Sequence, residues 1–262
     1  MAVAYERIAD QIRASIRAGQ LRPGDRLPAE TKLAEQYKRS VPTIRDALRL
    51  LRDEGLIEKQ HGRGNFVRRA RTPAIRTNLR HQWEKNRARQ SEEERRKTGS
   101  TEHDTGLELD DLVFHASYRE IKANEELADV FGVPEGTAII ERSYRTRYAA
   151  ESAPFTLVTS HLVRDMVADN PALLDAANEP WPGGTQNQLH TVGIEFDRIE
   201  EHVTARPPTP EEAEELDLPP GTAVLFLRKK SYDTNDRVVE YSHVTLPGDR
   251  TEMVFVTPLE RW

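Results

Sequence analysis

The chain has 262 residues, a net charge of −6, 37% hydrophobic and 31% charged residues, and no cysteine. Its length allows two ordinary domains with separate cores, and the missing cysteines exclude disulfides, thiolate chemistry and cysteine-based zinc sites. No apolar run reaches membrane-spanning length and the N-terminus carries charges throughout, so neither a signal peptide nor an anchor is expected and a cytoplasmic location is. The average charge hides an asymmetry: residues 1 to 97 hold 24 Lys+Arg against 13 Asp+Glu, or +11, leaving 14 against 31, or −17, for the remainder. A basic third joined to an acidic two-thirds points to a nucleic-acid contact confined to the N-terminal part.

Tyr5, Ile8, Ala9, Ile12 and Ile16 recur at helical spacing up to Gly19, which predicts a first core helix. The turn-rich stretch Leu21 to Pro28 follows, and Pro28 opens a second short helix carrying Leu33, Ala34 and Tyr37. A third helix is predicted from Ser40 to Gly55: Ser40 is a capping residue, Pro42 falls in the first turn, and Gly55 is a C-terminal stop. Ile44, Ala47, Leu48 and Leu51 share one side of it, while Pro42, Arg45 and Arg49 project from the other with Thr43 near the start. Alone, this is also the pattern of an ordinary amphipathic surface helix with solvated arginines. Two helices joined by a tight turn, the second with a basic outer face, suggest helix-turn-helix geometry.

Leu56–Gln60 and Asn65–Arg68 read as two strands of a hairpin whose tip is His61-Gly62-Arg63-Gly64. Arg63 stands there between glycines, where the backbone can approach a phosphate or a minor groove. As a nucleotide-binding fingerprint the tip is weak, because a third glycine and a following helix are missing. Residues 71–104 form a charged segment with few apolar anchors, Trp83 among them, and are expected as a solvated, partly helical or mobile tether.

From about residue 105 the pattern changes to strands: 112–121, 138–148, 155–163, 194–203, 224–232, 238–245 and 253–257, mostly antiparallel. Short helices are expected at 124–131 and 210–216, the second opening on the capping box Thr209-Pro210-Glu211-Glu212. Val133–Ile139 and Leu218–Val224 echo one another at an offset of 85, which suggests one helix, turn and strand unit used twice around a common sheet. Arg145 and Arg147, two apart, share a strand face and could hold a carboxylate or phosphate; such a row is also commonly a solvent-facing set paired with carboxylates. His190 fits a structural hydrogen-bonder better than a ligand contact, and Trp181-Pro182 a loop anchor. The scattered histidines form no helical metal-binding pair, so no metal and no cofactor are expected.

Ile8-Ala9, Gly19, Pro23 to Pro28, Leu33-Ala34, Thr43-Ile44-Arg45, Ala47-Leu48, Glu54-Gly55-Leu56 and Gly62 to Val67 together resemble the winged helix-turn-helix of the GntR repressors, over residues 3 to 69 without a gap. The resemblance implies DNA contacts at Ser40, Thr43 and Arg45, wing contacts at His61 and Gly62, and a phosphate contact at Thr31 or Lys32. Relatives usually carry arginine where this chain has Val41; valine offers only an apolar contact, so the preferred operator should differ at that base pair. Residues 105 to 258 resemble, more loosely, the ligand-sensing UTRA domain of the HutC branch, which shares its fold with chorismate lyase. The carriers are Glu141 to Tyr148 before Pro154, Asp233 through Glu240 to Arg250, and Gly183-Gly184-Thr185. By that resemblance Arg145, Arg147, Thr185 and Glu240 stand at effector-contacting positions. The chain departs from the pattern in a longer turn at Ala149 to Ala153 and in Leu246, where relatives often have tyrosine.

The expected architecture is α+β: a winged helix-turn-helix in 1–70, the charged linker in 71–104, and a mainly antiparallel sheet with flanking helices in 105–262. The expected function is a repressor that binds a palindromic double-stranded operator as a homodimer through Thr31, Lys32, Ser40, Val41, Thr43, Arg45, Arg49, His61, Gly62 and Arg63. A small anionic or polar effector, phosphorylated or carboxylated, would release it. Two alternatives stand beside this: an enzyme of the chorismate-lyase fold, for which no nucleophile elbow, zinc motif or catalytic carboxylate pair is present, and a ligand-independent repressor controlling a mobile element.

Overall fold

The computed structural model describes residues 3–69 and 71–260. The chain divides into two compact units, one of residues 1–71 with 218–223, the other of 72–217 with 224–262.

In the first unit α1 (Ala4–Arg17), α2 (Glu30–Tyr37) and α3 (Val41–Asp53) precede a hairpin of β1 (Ile57–Gln60) and β2 (Gly64–Val67). The apolar stripes meet: Ile8, Ala9 and Ile12 of α1, Leu33 of α2 and Ile44, Ala47, Leu48 and Leu51 of α3 are buried in one core with Leu27, Ile57 and Val67. Ser40 caps α3, its Oγ accepting from the Thr43 backbone N–H at 3.4 Å. Arg13 of α1 clamps the far end of α3 through both oxygens of Glu54, at 2.9 and 2.6 Å. The 21–28 connector is more than a turn, because Gly24 and Leu27 donate to the carbonyls of Val67 and Asn65 and fix the hairpin beside it.

The second unit contains β3 (Ala74–Thr77), α4 (Arg80–Ala88), α5 (Glu92–Arg95), α6 (Ser100–Thr105), β4 (Leu112–Lys122), α7 (Glu125–Phe131), β5 (Ala138–Tyr148), β6 (Thr156–Val163), α8 (Gly184–His190), β7 (Phe196–Arg206), α9 (Pro210–Glu215), β8 (Val224–Asp233), β9 (Val238–Pro247) and β10 (Thr251–Val254). Six strands form an antiparallel sheet in the order β4-β5-β6-β9-β8-β7. The sheet explains the internal echo: β4-α7-β5-β6 and β7-α9-β8-β9 are one β-α-β-β arrangement used twice, joined where β6 pairs with β9. Each copy turns into its second strand alike, Thr137 and Thr222 donating to the carbonyls of Pro134 and Pro219.

Residues 71–104 differ from the expected tether. β3 pairs in parallel with β10, and Arg76, Arg80, Arg87 and Ala88 are buried. Carboxylates distant in sequence make that burial possible: Arg76 lies 2.5 Å from Glu201, and Arg80 pairs with Asp104 and, at 3.0 Å, with Glu84.

Alternation assigns the two faces of the sheet. Ile139 of β5, Val163 of β6 and Tyr241 of β9 pack with Leu127 and Ala128 of α7 on one side. On the other, Leu162 of β6 packs with Leu189 of α8, together with Phe196 and Val239. The even-numbered residues of β5 therefore face the side that carries α8.

Candidate nucleic-acid interface and ligand cavity

In the first unit the side of α3 opposite the core is polar and open. Arg45 and Arg49 are each 65% exposed at the side chain, and Ser40 is exposed at the cap. Thr43 and Val41 are half-buried at the helix start. Each arginine is held by a nearby carboxylate, Arg45 by Glu30 of α2 at 2.7 Å and Arg49 by Asp46 at 3.1 Å. Such exposed pairs are worth about 0–1 kcal/mol, so a phosphate or base can displace them at little cost. Thr31 and Lys32 are exposed in the first turn of α2. His61, Gly62 and Arg63 are exposed at the hairpin tip, where Gly62 has φ +70° and open space around it, so the backbone conformation selects glycine. The Arg63 guanidinium rests 5.5 Å from the centre of the Phe66 ring.

The second unit holds a cavity of about 670 Å³ on the α8 side of the sheet. Ser160, Thr185 and Glu240 line its polar wall, and the buried Arg142 joins the three from behind. The Arg142 guanidinium lies 3.1 Å from Glu240 and donates to Gln188 at 2.8 Å, Ser160 at 2.7 Å and Thr185 at 3.4 Å. Glu240 also accepts from Ser160 at 2.8 Å and Ser231 at 3.2 Å, and lies 2.9 Å from Lys229. Burial opposes ionisation of Glu240, but Lys229 and Arg142 outweigh it and hold the carboxyl at about 2. A second polar group adjoins it: the Tyr118 and Tyr144 hydroxyls lie 2.8 Å apart and both stand within hydrogen-bond reach of Glu179, their two protons shared among these three contacts, and Glu179 also accepts from Gln188 at 2.8 Å. Burial pushes the Tyr118 hydroxyl up to about 12, so both phenols stay protonated donors. Leu112, Phe114, Phe155, Val158, Val244 and Leu246 supply apolar walls.

Of the four effector positions expected from sequence, Thr185 and Glu240 meet here through Arg142, while Arg145 and Arg147 do not line the cavity. The two arginines occupy the opposite alternation of β5, the face of Ile139. Arg145 pairs there with Glu215 of α9 at 2.5 Å, and Arg147 donates to the carbonyls of Tyr148, Ala149 and Glu151. Both arginines are half-buried there, and of the two only Arg145 pairs with a carboxylate among the described residues. His190 is exposed at the end of α8 and is not a lining residue. Trp181 anchors its loop by donating to Asn187 at 2.9 Å. Gly183 is required beside it: φ is +102°, and a Cβ would stand 2.6 Å from that of Asn187.

Sequence reasoning missed Arg142, Tyr118, Tyr144, Gln188 and Lys229. Arg142 carried the best signal, as the arginine three residues before Arg145 and so on the other face of one strand.

A winged helix-turn-helix unit joined to a sheet unit with a polar-centred cavity defines a DNA-binding regulator with a sensor domain. Residues 4–67 match the family of bacterial regulatory proteins called gntR, and residues 115–252 match the UTRA domain. The chain belongs to this family: it is a GntR-type transcriptional regulator of the HutC branch, with a UTRA effector domain. It is 28% identical over 256 residues to an HTH-type transcriptional regulator of Streptomyces coelicolor, covering 94% of this chain and 89% of that one. The repressor NagR of Bacillus subtilis is 27% identical, with 95% and 93% covered, and the histidine utilization repressor of Klebsiella aerogenes 26%, with 94% and 91%. Among solved structures, a GntR-family regulator aligns with TM-score 0.62 at 23% identity over 98% of both chains, and PhnF of Mycobacterium smegmatis with 0.54 at 22% over 98% of this chain and all of that one. These two show a shared fold. Among the described residues no helix is long and apolar enough to cross a membrane.

Proposed function

We propose that the protein is a cytoplasmic repressor that binds a palindromic operator as a homodimer and is released when a small anionic or polar molecule enters the cavity. In this reading residues 1–70 serve DNA binding, and 105–262, with the ordered segment 71–104, serve effector binding and dimerisation. Ser40, Val41, Thr43, Arg45 and Arg49 of α3 contact the major groove, His61, Gly62 and Arg63 the minor groove, and Thr31 and Lys32 phosphates. In the cavity Thr185 and Glu240 act with Arg142. The observation that carries the reading is the polar centre itself. Ser160, Glu179, Thr185, Glu240 and Tyr144 line an open space with donors and acceptors that a packed structural core would not need. Release is then a coupling free energy between cavity and operator within one dimer.

The test is binding of the full chain to DNA from its own promoter region, with stoichiometry measured and fractionated cell extract added. Two chains per inverted repeat and loss of binding with one small-molecule fraction are expected. One chain per site, or binding that no fraction weakens, would point to the ligand-independent alternative.

A further inference from the structure

The cations around the cavity are almost all answered by carboxylates of the protein. Arg142 and Lys229 share Glu240, Arg76 has Glu201, Arg80 has Asp104 and Glu84, and Arg96 has Glu92. Arg95 spends its guanidinium on the carbonyls of Pro182 and Gln90.

Arg87 of α4 is the exception among the described lining residues. It is only 7% exposed, and among the described residues it has no carboxylate within 4 Å and its Nε meets no hydrogen-bond acceptor. Its one close partner is the Trp83 ring, 5.3 Å from the guanidinium. Burial pushes its pKa down; Glu84 and Glu102 oppose that from a distance, and Arg95 adds to it. A buried charge without a counterion is costly, and a protein keeps one where a ligand completes it.

We propose that Arg87 is the anchoring cation for a carboxylate on the effector, so that the ligand of this chain is a monoanionic organic acid with an apolar body. This rests on the reading of the cavity as an effector site. One open guanidinium matches one negative charge. A phosphate dianion would need a second free cation, and Glu84 and Glu102 disfavour the extra charge. The planar guanidinium can hold both carboxylate oxygens side by side, with Trp83 behind it fixing the plane. The aromatic and aliphatic walls would then cover the remainder of the ligand, and Tyr144 and Thr185 can meet a polar substituent on it.

The experiment is thermal unfolding of the full chain, wild type and Arg87→Gln, with sodium octanoate and sodium phenylacetate, each compared with its primary amide. At least one acid should raise the wild-type Tm by several degrees while its amide does not, and the shift should vanish in Arg87→Gln. Without ligand Arg87→Gln should melt no lower than wild type, because an uncompensated buried charge has been removed. An acid shift that survives the substitution, an amide that matches its acid, or no shift from either acid overturns the proposal. So does a ligand-free Arg87→Gln that melts below wild type, which would make Arg87 a structural cation. The effector reading is judged apart from this. Operator release by an extract fraction whose active compound is neutral would keep that reading and end the carboxylate proposal.

Discussion

Replacing Glu240 by glutamine removes the single carboxylate shared by a buried and a half-buried cation. Arg142 is 1% exposed at its side chain and Lys229 18%, and each loses its ion pair. The magnitude follows from the ionisation. A carboxyl held at about 2 instead of its ordinary 4.5 has a charged form favoured by about 3 kcal/mol in the folded state. Breaking a buried pair from one side generally costs about 3–5 kcal/mol, which agrees. For a unit of this size that corresponds to a fall in Tm of roughly 6–12 °C. Urea unfolding of the second unit, followed through its tryptophans, measures it directly. The pH dependence has a definite sign. Glu240 is depressed, so its contribution is fully present above about 4.5 and is lost as pH falls towards 2. Glu240→Gln should therefore be less stable than wild type at pH 7, with the gap closing below pH 4. Adding Arg142→Met should recover part of the loss, since the double variant leaves fewer unpaired charges. A Glu240→Gln protein within about 0.5 kcal/mol of wild type at pH 7 would refute the electrostatic account, because that is the range of ordinary surface substitutions.

Val41→Arg should change which base is preferred at one position of each half-site by about 1–3 kcal/mol, read by binding selection with randomised operators; unchanged preference would remove Val41 from the readout. Burial lowers the pKa of His81, but the carboxylates of Glu201 at 3.1 Å and Glu84 at 3.6 Å outweigh it and raise the pKa. Its stabilisation is present below about pH 6.5 and lost as pH rises through the raised value, so His81→Asn should flatten the decline of wild-type stability on the alkaline side in a denaturant series run from pH 5 to 9. Arg145→Ala should leave the response of operator binding to the active extract fraction unchanged, whereas Arg142→Met should abolish it. The reverse result would return the effector contact to the other face of β5.

The first unit was legible nearly residue by residue. The period of α3 selected Ile44, Ala47, Leu48 and Leu51, all of them buried, and Ser40 and Gly55 marked its ends with ordinary capping chemistry. The strands of the six-stranded sheet and the repeated helix, turn and strand unit were legible because apolar residues alternate there and the Pro-x-Gly-Thr turns repeat. The cavity was not. On β5 both alternations mix polar and apolar residues, so nothing local shows that Arg142 faces inward and Arg145 outward. α8 escaped notice because Gln186, Asn187 and Gln188 are buried by hydrogen bonding, which leaves no apolar stripe to read. Arg76 looked solvated for a similar reason: its carboxylate, Glu201, lies 125 residues away.

The central claim is that α3 and the wing hold DNA largely through charge, and its most direct measurement is operator affinity as a function of salt for wild type and Arg45→Ala. Affinity should fall steeply and log-linearly with salt, and Arg45→Ala should reduce that slope by roughly one while weakening binding. Salt-insensitive binding, or an Arg45→Ala protein with wild-type affinity and slope, would contradict it.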